Sequence, residues 1–411
     1  MSTLPASAGE QEIGFQSGTQ VAGTEGRRRI LFVDDDPTLL DGLKAVLRPQ
    51  RREWEMAFAL GGAAALQEVR SSAFDVVITD MRMPVVDGAE VLRQVKAQQP
   101  RAVRVVLSGQ TDNETAMRTV FTAHQFLAKP CEVDKLRSVV KRACGLQELV
   151  TAEELRALAG DASQLPSAPN TYLEITEALA DPSCDIQRVA GIVERDPALS
   201  AKVLQLVNSA FFGLPRAVTS IARATSYLGT LTLRNLALAM ETLAASRPGG
   251  DLSPAGLHDF QVNSLLAGML ARHWFAGDRQ RADDAFVAGL LRGVGALLLA
   301  RQGRDKAVPP GTHAALSAYI LGLWGLPHSV LEPVAFHERP EQVEHQALEV
   351  VDVVHLAHQL AAELAPCPFQ PPPTPLDVTR LERLGAASER VDRFRADARE
   401  ILAQTRGFLR R

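Results

Sequence analysis

The stretch Val76-Val77-Ile78-Thr79-Asp80-Met81-Arg82-Met83-Pro84 decides the fold of the N-terminal part of this chain. Its opening residues are apolar or β-branched, the composition of a strand covered on both faces. Asp80 closes the run, and Pro84 then turns the chain out of the strand. An earlier run, Ile30-Leu31-Phe32-Val33, ends the same way in Asp34-Asp35-Asp36. Clustered carboxylates repel one another unless a hard cation lies among them. Two buried strands that both deliver acids at their C-terminal ends therefore predict a divalent-cation site.

Outward from these two runs, three more strands read at Trp54–Phe58, Val103–Leu107 and around Gln125–Leu127, and Asp75 opens the decisive one at Asp75–Thr79. Amphipathic helical segments separate them, the pattern of a parallel sheet covered on both faces. Helix starts are marked by Asp36-Pro37, a cap with proline at the first helical position, and by the capping box Thr111-Asp112-Asn113-Glu114. Asp87-Gly88 reads as turn chemistry before another helix. In a doubly wound sheet of order 2-1-3-4-5 the crevice lies between strands one and three, where Asp34, Asp35 and Asp80 fall.

After Val133 the pattern is helical. Leu136, Val139, Ala143, Leu146 and Val150 keep a three-four spacing, and the helix is expected to run on to Ala159, with Gly160 as its stop. From Leu165 onward the chain reads as all-helical. Phe286 to Leu299 is apolar almost all round, as a single central buried helix would be. A proline-rich stretch, Pro366 to Pro375, predicts a surface loop before the closing helices.

Bulk properties narrow the function classes. At 411 residues, 46% hydrophobic and 22% charged, the composition is that of a globular chain with room for two domains. A net charge of -4 and a pI of about 6.2 give no electrostatic footprint for nucleic acid. Arg27-Arg28-Arg29 reads as a solvated flank of the first strand. Four scattered cysteines, Cys131, Cys144, Cys184 and Cys367, fit reduced thiols in a cytosol. Residues 1–26 are rich in Ser, Gly, Ala, Gln and Glu and predict a disordered leader. The strongest apolar stretch, Val287 to Ala300, is too short to span a bilayer and carries Arg292. The expectation is a cytoplasmic chain without membrane or DNA contacts.

Four marks in order carry a family resemblance: VDDDP, TDMRMPVVDG, VVLSGQ and FLAKP. Together they resemble the receiver domains of two-component response regulators over roughly Arg29 to Gly145. The resemblance implies a flavodoxin-like α/β receiver. It implies Asp80 as phosphoacceptor from a sensor histidine kinase, and Mg2+ held by Asp34, Asp35, Asp80 and the backbone carbonyl of Arg82. It further implies Ser108 and Lys129 as phosphoryl-binding groups, Phe126 as the switch aromatic and a cis Lys129-Pro130 bond.

Four later marks, DPALSAKVLQLVNSAFFGLPRAVTSI, TSYLGTLTLRNLAL, AFVAGLLRGVGALLL and YILGLWGLPHSV, resemble the all-α HDOD domain, a relative of HD-type metal phosphohydrolases. Asn208, Ser209, Gly213 and Gly229 suit turns and close helix contacts. The family's metal chemistry needs a His, a His-Asp pair and a later Asp. By position these fall on Asn263, on Arg292-Gly293 and on His358. An arginine there repels the metal it would have to bind, so no catalytic residue and no cofactor is expected in this half. His313, His337, Glu338 and His358 are the remaining candidates for a zinc site, and they more often serve as surface or satisfied core residues. Arg292 and Arg339 are the candidates for an anion or nucleotide pocket, and an arginine on a helix is more often a surface or snorkelling side chain. The expected layout is a leader at 1–26, a receiver at 27–146, a helical connector at 147–162 and the HDOD part at 163–411, its core ending near 365. The expected output is an interaction with a protein partner, with a homodimer through the connector as one form. The rival reading is a cyclic-dinucleotide phosphodiesterase or a nucleotide-binding sensor.

Overall fold

The structure, a computed structural model, describes residues 27–109, 119, 122–129, 131–149, 156–157, 171–181, 184–208, 214, 216–230, 232–234, 236–237, 240, 253–304, 308–309, 311–368 and 378–409. The expected leader, the capping box at Thr111, Ser209, Gly213, Pro130 and most of the expected connector lie outside these residues.

Five parallel strands form one sheet: β1 (Arg28–Asp34), β2 (Trp54–Leu60), β3 (Val76–Asp80), β4 (Val103–Gly109) and β5 (Gln125–Lys129). Their order is β2-β1-β3-β4-β5, the order expected of the flavodoxin-like receiver fold. Helices α1 (Pro37–Val46), α2 (Gly62–Ser71), α3 (Gly88–Gln98) and α4 (Val133–Leu149) follow strands one, two, three and five. One face of the sheet packs Ile30, Phe32, Ile78 and Val105. The other packs Leu31, Val33, Val77 and Val106. Alternate residues of one strand thus fill two separate cores, which is why the strands read as continuous apolar runs.

The strands extend further than the apolar runs did. Asp34 and Asp80 are the last residues of β1 and β3 and are buried, not the first residues of exposed loops. Each lies in register with a neighbouring strand, Asp34 beside Leu60 and Asp80 beside Leu107. The ladder holds the backbone extended to the carboxylate itself.

The second half is helical: α5 (Thr171–Ala180), α6 (Ile186–Glu194), α7 (Pro197–Val207), α8 (Ile221–Leu228), α9 (Pro254–Trp274), α10 (Arg279–Leu291), α11 (Val294–Arg301), α12 (Thr312–Leu323), α13 (His328–Phe336), α14 (Val350–Leu364), α15 (Val378–Arg383) and α16 (Ser388–Leu409). Asn208 ends α7 and exchanges two hydrogen bonds with the backbone of Val218, at 2.8 and 2.6 Å. Gly229 ends α8 at φ 77°, a conformation that favours glycine.

One expectation is corrected here. Phe286 to Leu299 is two helices, broken at Arg292-Gly293. The hydroxyl of Ser317, on α12, satisfies the break. It donates to the Arg292 carbonyl at 2.7 Å and accepts the Gly295 N–H at 2.8 Å. A neighbouring helix supplies the bonds that a continuous helix would have supplied. Apolar periodicity alone carries no sign of such a break.

Candidate functional site

The acidic pocket is built on the two central strands. Asp34 is 2% exposed and Asp80 7%. Between them lies the ammonium of Lys129, the last residue of β5. It is 2.7 Å from Asp34 Oδ2 and also pairs with Asp80 Oδ1. The second oxygen of each acid accepts a backbone N–H, from Asp36 to Asp34 at 3.0 Å and from Arg82 to Asp80 at 2.8 Å. Burial pushes the Lys129 ammonium down. Hydrogen bonds to Asp34 and Asp80, and then their charges, outweigh this and hold it above the ordinary lysine range. Two carboxylates and one ammonium leave a net charge of about -1 in the pocket, which still attracts a cation.

Asp35 is exposed on the rim of this pocket. Asp36 caps α1 and accepts from Thr38 N at 2.8 Å. That bond holds its carboxyl below the ordinary range. Phe126 is buried in the core shared with Val77, Val106 and Ala123. Ser108 lies in β4 in register with Ala128, and its side chain is outside the described residues.

The loop after Asp80 is tight. Asp87 caps α3 by accepting from Glu90 N at 2.9 Å. Gly88 donates to the Met81 carbonyl at 3.0 Å. A Cβ at Gly88 would stand 2.1 Å from the Asp80 carbonyl oxygen, so only glycine fits. Val86 N donates to the Pro84 carbonyl at 2.8 Å across Val85, which has φ 68° and a fully exposed side chain. This is a three-residue turn with a β-branched residue in the left-handed region, a strained arrangement. Nothing in the sequence marked Val85. Its signal is conformational and appears only in the backbone.

In the helical half the predicted positions converge as well. Arg292 is 1% exposed, which corrects its reading as a surface or snorkelling side chain. Its guanidinium donates to Gly289 O at 2.6 Å, to His358 Nδ1 at 3.1 Å and to Asn263 Oδ1. Asn263 is fixed from its other side by donating to Ala365 O at 2.8 Å. The His337 and His358 rings meet edge to face at 4.8 Å, and His313 Nδ1 lies 2.9 Å from Glu338 Oε1. Gly293 sits in the helix break with φ −91°. Burial pushes the Arg292 guanidinium down to about 10 and the His337 imidazole down to about 4. Because arginine can only donate, His358 Nδ1 must accept, so its proton sits on Nε2, which has no hydrogen-bond partner among the described residues. His355, which the sequence did not single out, extends the network by bonding His337 O at 2.6 Å.

Among the described residues, no group of three or more His, Cys, Asp or Glu is spaced to hold a metal ion. In each half a basic side chain stands among the candidate ligands. In the sheet half the remaining oxygens suit a hard cation, because carboxylates and backbone carbonyls are the donors magnesium takes. In the helical half Arg292 brings positive charge to Asn263 and His358 and engages both by hydrogen bonds, and these do not suit one. No helix among the described residues is long and apolar enough to cross a membrane, and all four cysteines are free.

Two family models match the chain: the response regulator receiver domain over residues 30–141 and the HDOD domain over residues 165–309. The transcriptional regulatory protein ZraR of Escherichia coli O157:H7 is 31% identical over 156 residues, 38% of this chain and 35% of ZraR. The chain thus spans about a third of the length of that curated relative. Among solved structures, the receiver domain of an HD domain-containing protein from Pseudomonas fluorescens Pf-5 is 27% identical, covering 30% of this chain and 98% of that one, with a TM-score of 0.29. The MmoQ response regulator from Methylococcus capsulatus str. Bath is 23% identical, covering 57% and 98%, with a TM-score of 0.45.

Proposed function

We infer that this chain, which joins a response regulator receiver domain to an HDOD domain, is a two-component response regulator whose Asp80 accepts a phosphoryl group from a histidine kinase. The observation that carries the reading is the convergence of Asp34, Asp80 and Lys129 from three different strands on one buried point. The Asp80 carboxylate is the nucleophile, and its Oδ2 is oriented by the Arg82 N–H. Lys129 already bridges the two acids. It needs only a short swing to neutralise an incoming phosphoryl oxygen, and Ser108 would hydrogen-bond another. Asp34, Asp35, Asp80 and the Arg82 carbonyl would hold Mg2+, which when bound supplies charge neutralisation for the transferring group. Phe126 would repack as Ser108 moves inward, shifting an equilibrium that exists without the phosphoryl group.

The output is an interaction of the HDOD domain with a protein partner, not catalysis. The support is Arg292, whose guanidinium fills the point on which Asn263 and His358 converge. A cyclic-dinucleotide phosphodiesterase or a nucleotide sensor would need free ligands there, and these are engaged with one another. The domain limits proposed are 27–146 for the receiver, 147–162 for a connector and 163–411 for the HDOD part.

The test is labelling with acetyl phosphate and Mg2+. Wild type should acquire one acid-stable, base-labile phosphoryl group, and Asp80→Asn should acquire none. Undiminished labelling of the Asp80→Asn protein would refute the assignment.

A further inference from the structure

The receiver and the helical half meet along a buried polar seam. Helix α4 packs against α12, and α7 reaches the start of β5. On α7, Gln205 is 1% exposed, and its amide nitrogen donates to two receiver carbonyls, Ala123 O at 3.2 Å and His124 O at 3.1 Å. The orientation of that amide is fixed. Its oxygen accepts from Lys202 Nζ at 3.0 Å, and the same ammonium lies 4.3 Å from the ring centroid of Trp324, at the end of α12. One buried apolar cluster, with Val140 and Ala143 of α4 and Leu316 and Ile320 of α12, runs through both halves, and the hydrogen bonds of Gln205 to the receiver backbone fix the register of that docking.

The seam is also uncomfortable. Lys202 is fully buried, and burial drives its ammonium well below the ordinary lysine range. Tyr319 of α12 is 1% exposed, and its hydroxyl has no hydrogen-bond partner among the described residues. Burial pushes that phenol up to about 12, and Arg104 and Cys144 of the receiver are among the groups it senses. Both groups would regain water if the domains parted, and the unmet hydroxyl of Tyr319 favours parting.

One strand links this seam to the acidic pocket. The carbonyls that Gln205 holds immediately precede β5, and Lys129, which bridges Asp34 and Asp80, is its last residue. Five extended residues span about 17 Å, so the strand is a short stiff rod with one end in each site.

We propose that the Gln205–Lys202–Trp324 cluster is a releasable latch that holds the receiver against the helical domain, and that β5 couples its release to the state of Lys129. Release exposes α4 and α12, the two faces hidden in the seam. The coupling rests on the reading of Asp80 as phosphoacceptor, whereas the latch does not.

The experiment uses the full chain and reads two quantities: peptide-resolved alkylation of Cys144 on α4 by iodoacetamide, and hydrogen exchange in α4 and α12. In Gln205→Ala, without phosphodonor, both should rise about tenfold, while exchange in β1 and β3 stays at the wild-type level. That last control separates opening from unfolding. In wild type, acetyl phosphate with Mg2+ should produce the same rise, and Asp80→Asn should not respond. Unchanged protection in Gln205→Ala overturns the latch, whatever happens at Asp80. Labelling of wild-type Asp80 without any change at the seam overturns the coupling and leaves the phosphoacceptor assignment standing. Absence of labelling removes that assignment, and the Gln205→Ala arm then decides the latch alone.

Discussion

Two basic side chains stand at the centres of the two halves, one held by charged partners and the other by neutral ones. Lys129 sits between two buried carboxylates at strand tips, on a side chain still 27% exposed. Arg292 sits among an amide, a backbone carbonyl and an imidazole, at 1% exposure. The first pocket keeps an excess of negative charge, so its cation is exchangeable. The second holds its cation by hydrogen bonds to neutral groups, with Glu338 paired to His313 as the carboxylate that Arg292 senses, so its cation is a permanent part of the core. A site's capacity to bind a metal is therefore set by what surrounds its resident cation, not by the cation itself.

The comparison is broken most severely at Arg292. Arg292→Ala removes the donor that Gly289 O, Asn263 Oδ1 and His358 Nδ1 share, and opens a cavity between α9, α10 and α14. We expect a loss of about 4 kcal/mol in the stability of the helical half, read by urea denaturation followed through Trp274 and Trp324. Chelator should have no effect on the wild-type value. A chelator-induced shift would mean that a metal, not Arg292, ties these helices.

The same core should fail in acid. His337 is held neutral, at about 4 against an ordinary 6.5, because burial disfavours its charged form. The unfolded chain then takes up this proton first, so the stability is complete above pH 6.5 and falls as the pH drops towards 4. The loss from His337 alone is about 3 kcal/mol across that window, and His358 acts in the same direction. Denaturation midpoints that stay flat from pH 7 to pH 4 would contradict the burial of these rings.

In the receiver the expected change has the opposite character. Lys129→Met removes the ammonium that competes with a divalent ion, so Mg2+ should bind about tenfold more tightly by titration calorimetry, while phosphoryl labelling falls. Weaker Mg2+ binding would show that Lys129 helps assemble the acids instead of shielding them. The smallest effect is local. Val85→Asn puts a residue that tolerates the left-handed region where a valine is strained, and should raise receiver stability by about 0.5–1 kcal/mol in thermal denaturation.

Much of this was legible in the sequence, and for physical reasons. The buried strands were legible as apolar runs with acidic ends, because a buried parallel strand writes its burial directly into composition; their order came with the receiver resemblance. The helix start at Asp36 was legible because capping depends on one side chain and its nearest backbone, whereas Asp87, read as turn chemistry before a helix, proves to be the cap itself. The break at Arg292-Gly293 was not, because its bonds come from Ser317 on another helix. The burial of Arg292 escaped for a related reason: its partners Asn263 and His358 are 29 and 66 residues away. Gln205 was equally silent, since its acceptors are backbone carbonyls of residues 123 and 124, which carry no side-chain signature.

The absent side chain at position 88 has a further consequence. With the start of α3 pressed against the Asp80 carbonyl, helix and strand tip meet backbone to backbone, with no room for a side chain between them. If Asp80 is the phosphoacceptor proposed above, a group attached to its carboxylate would press on α3 through this contact.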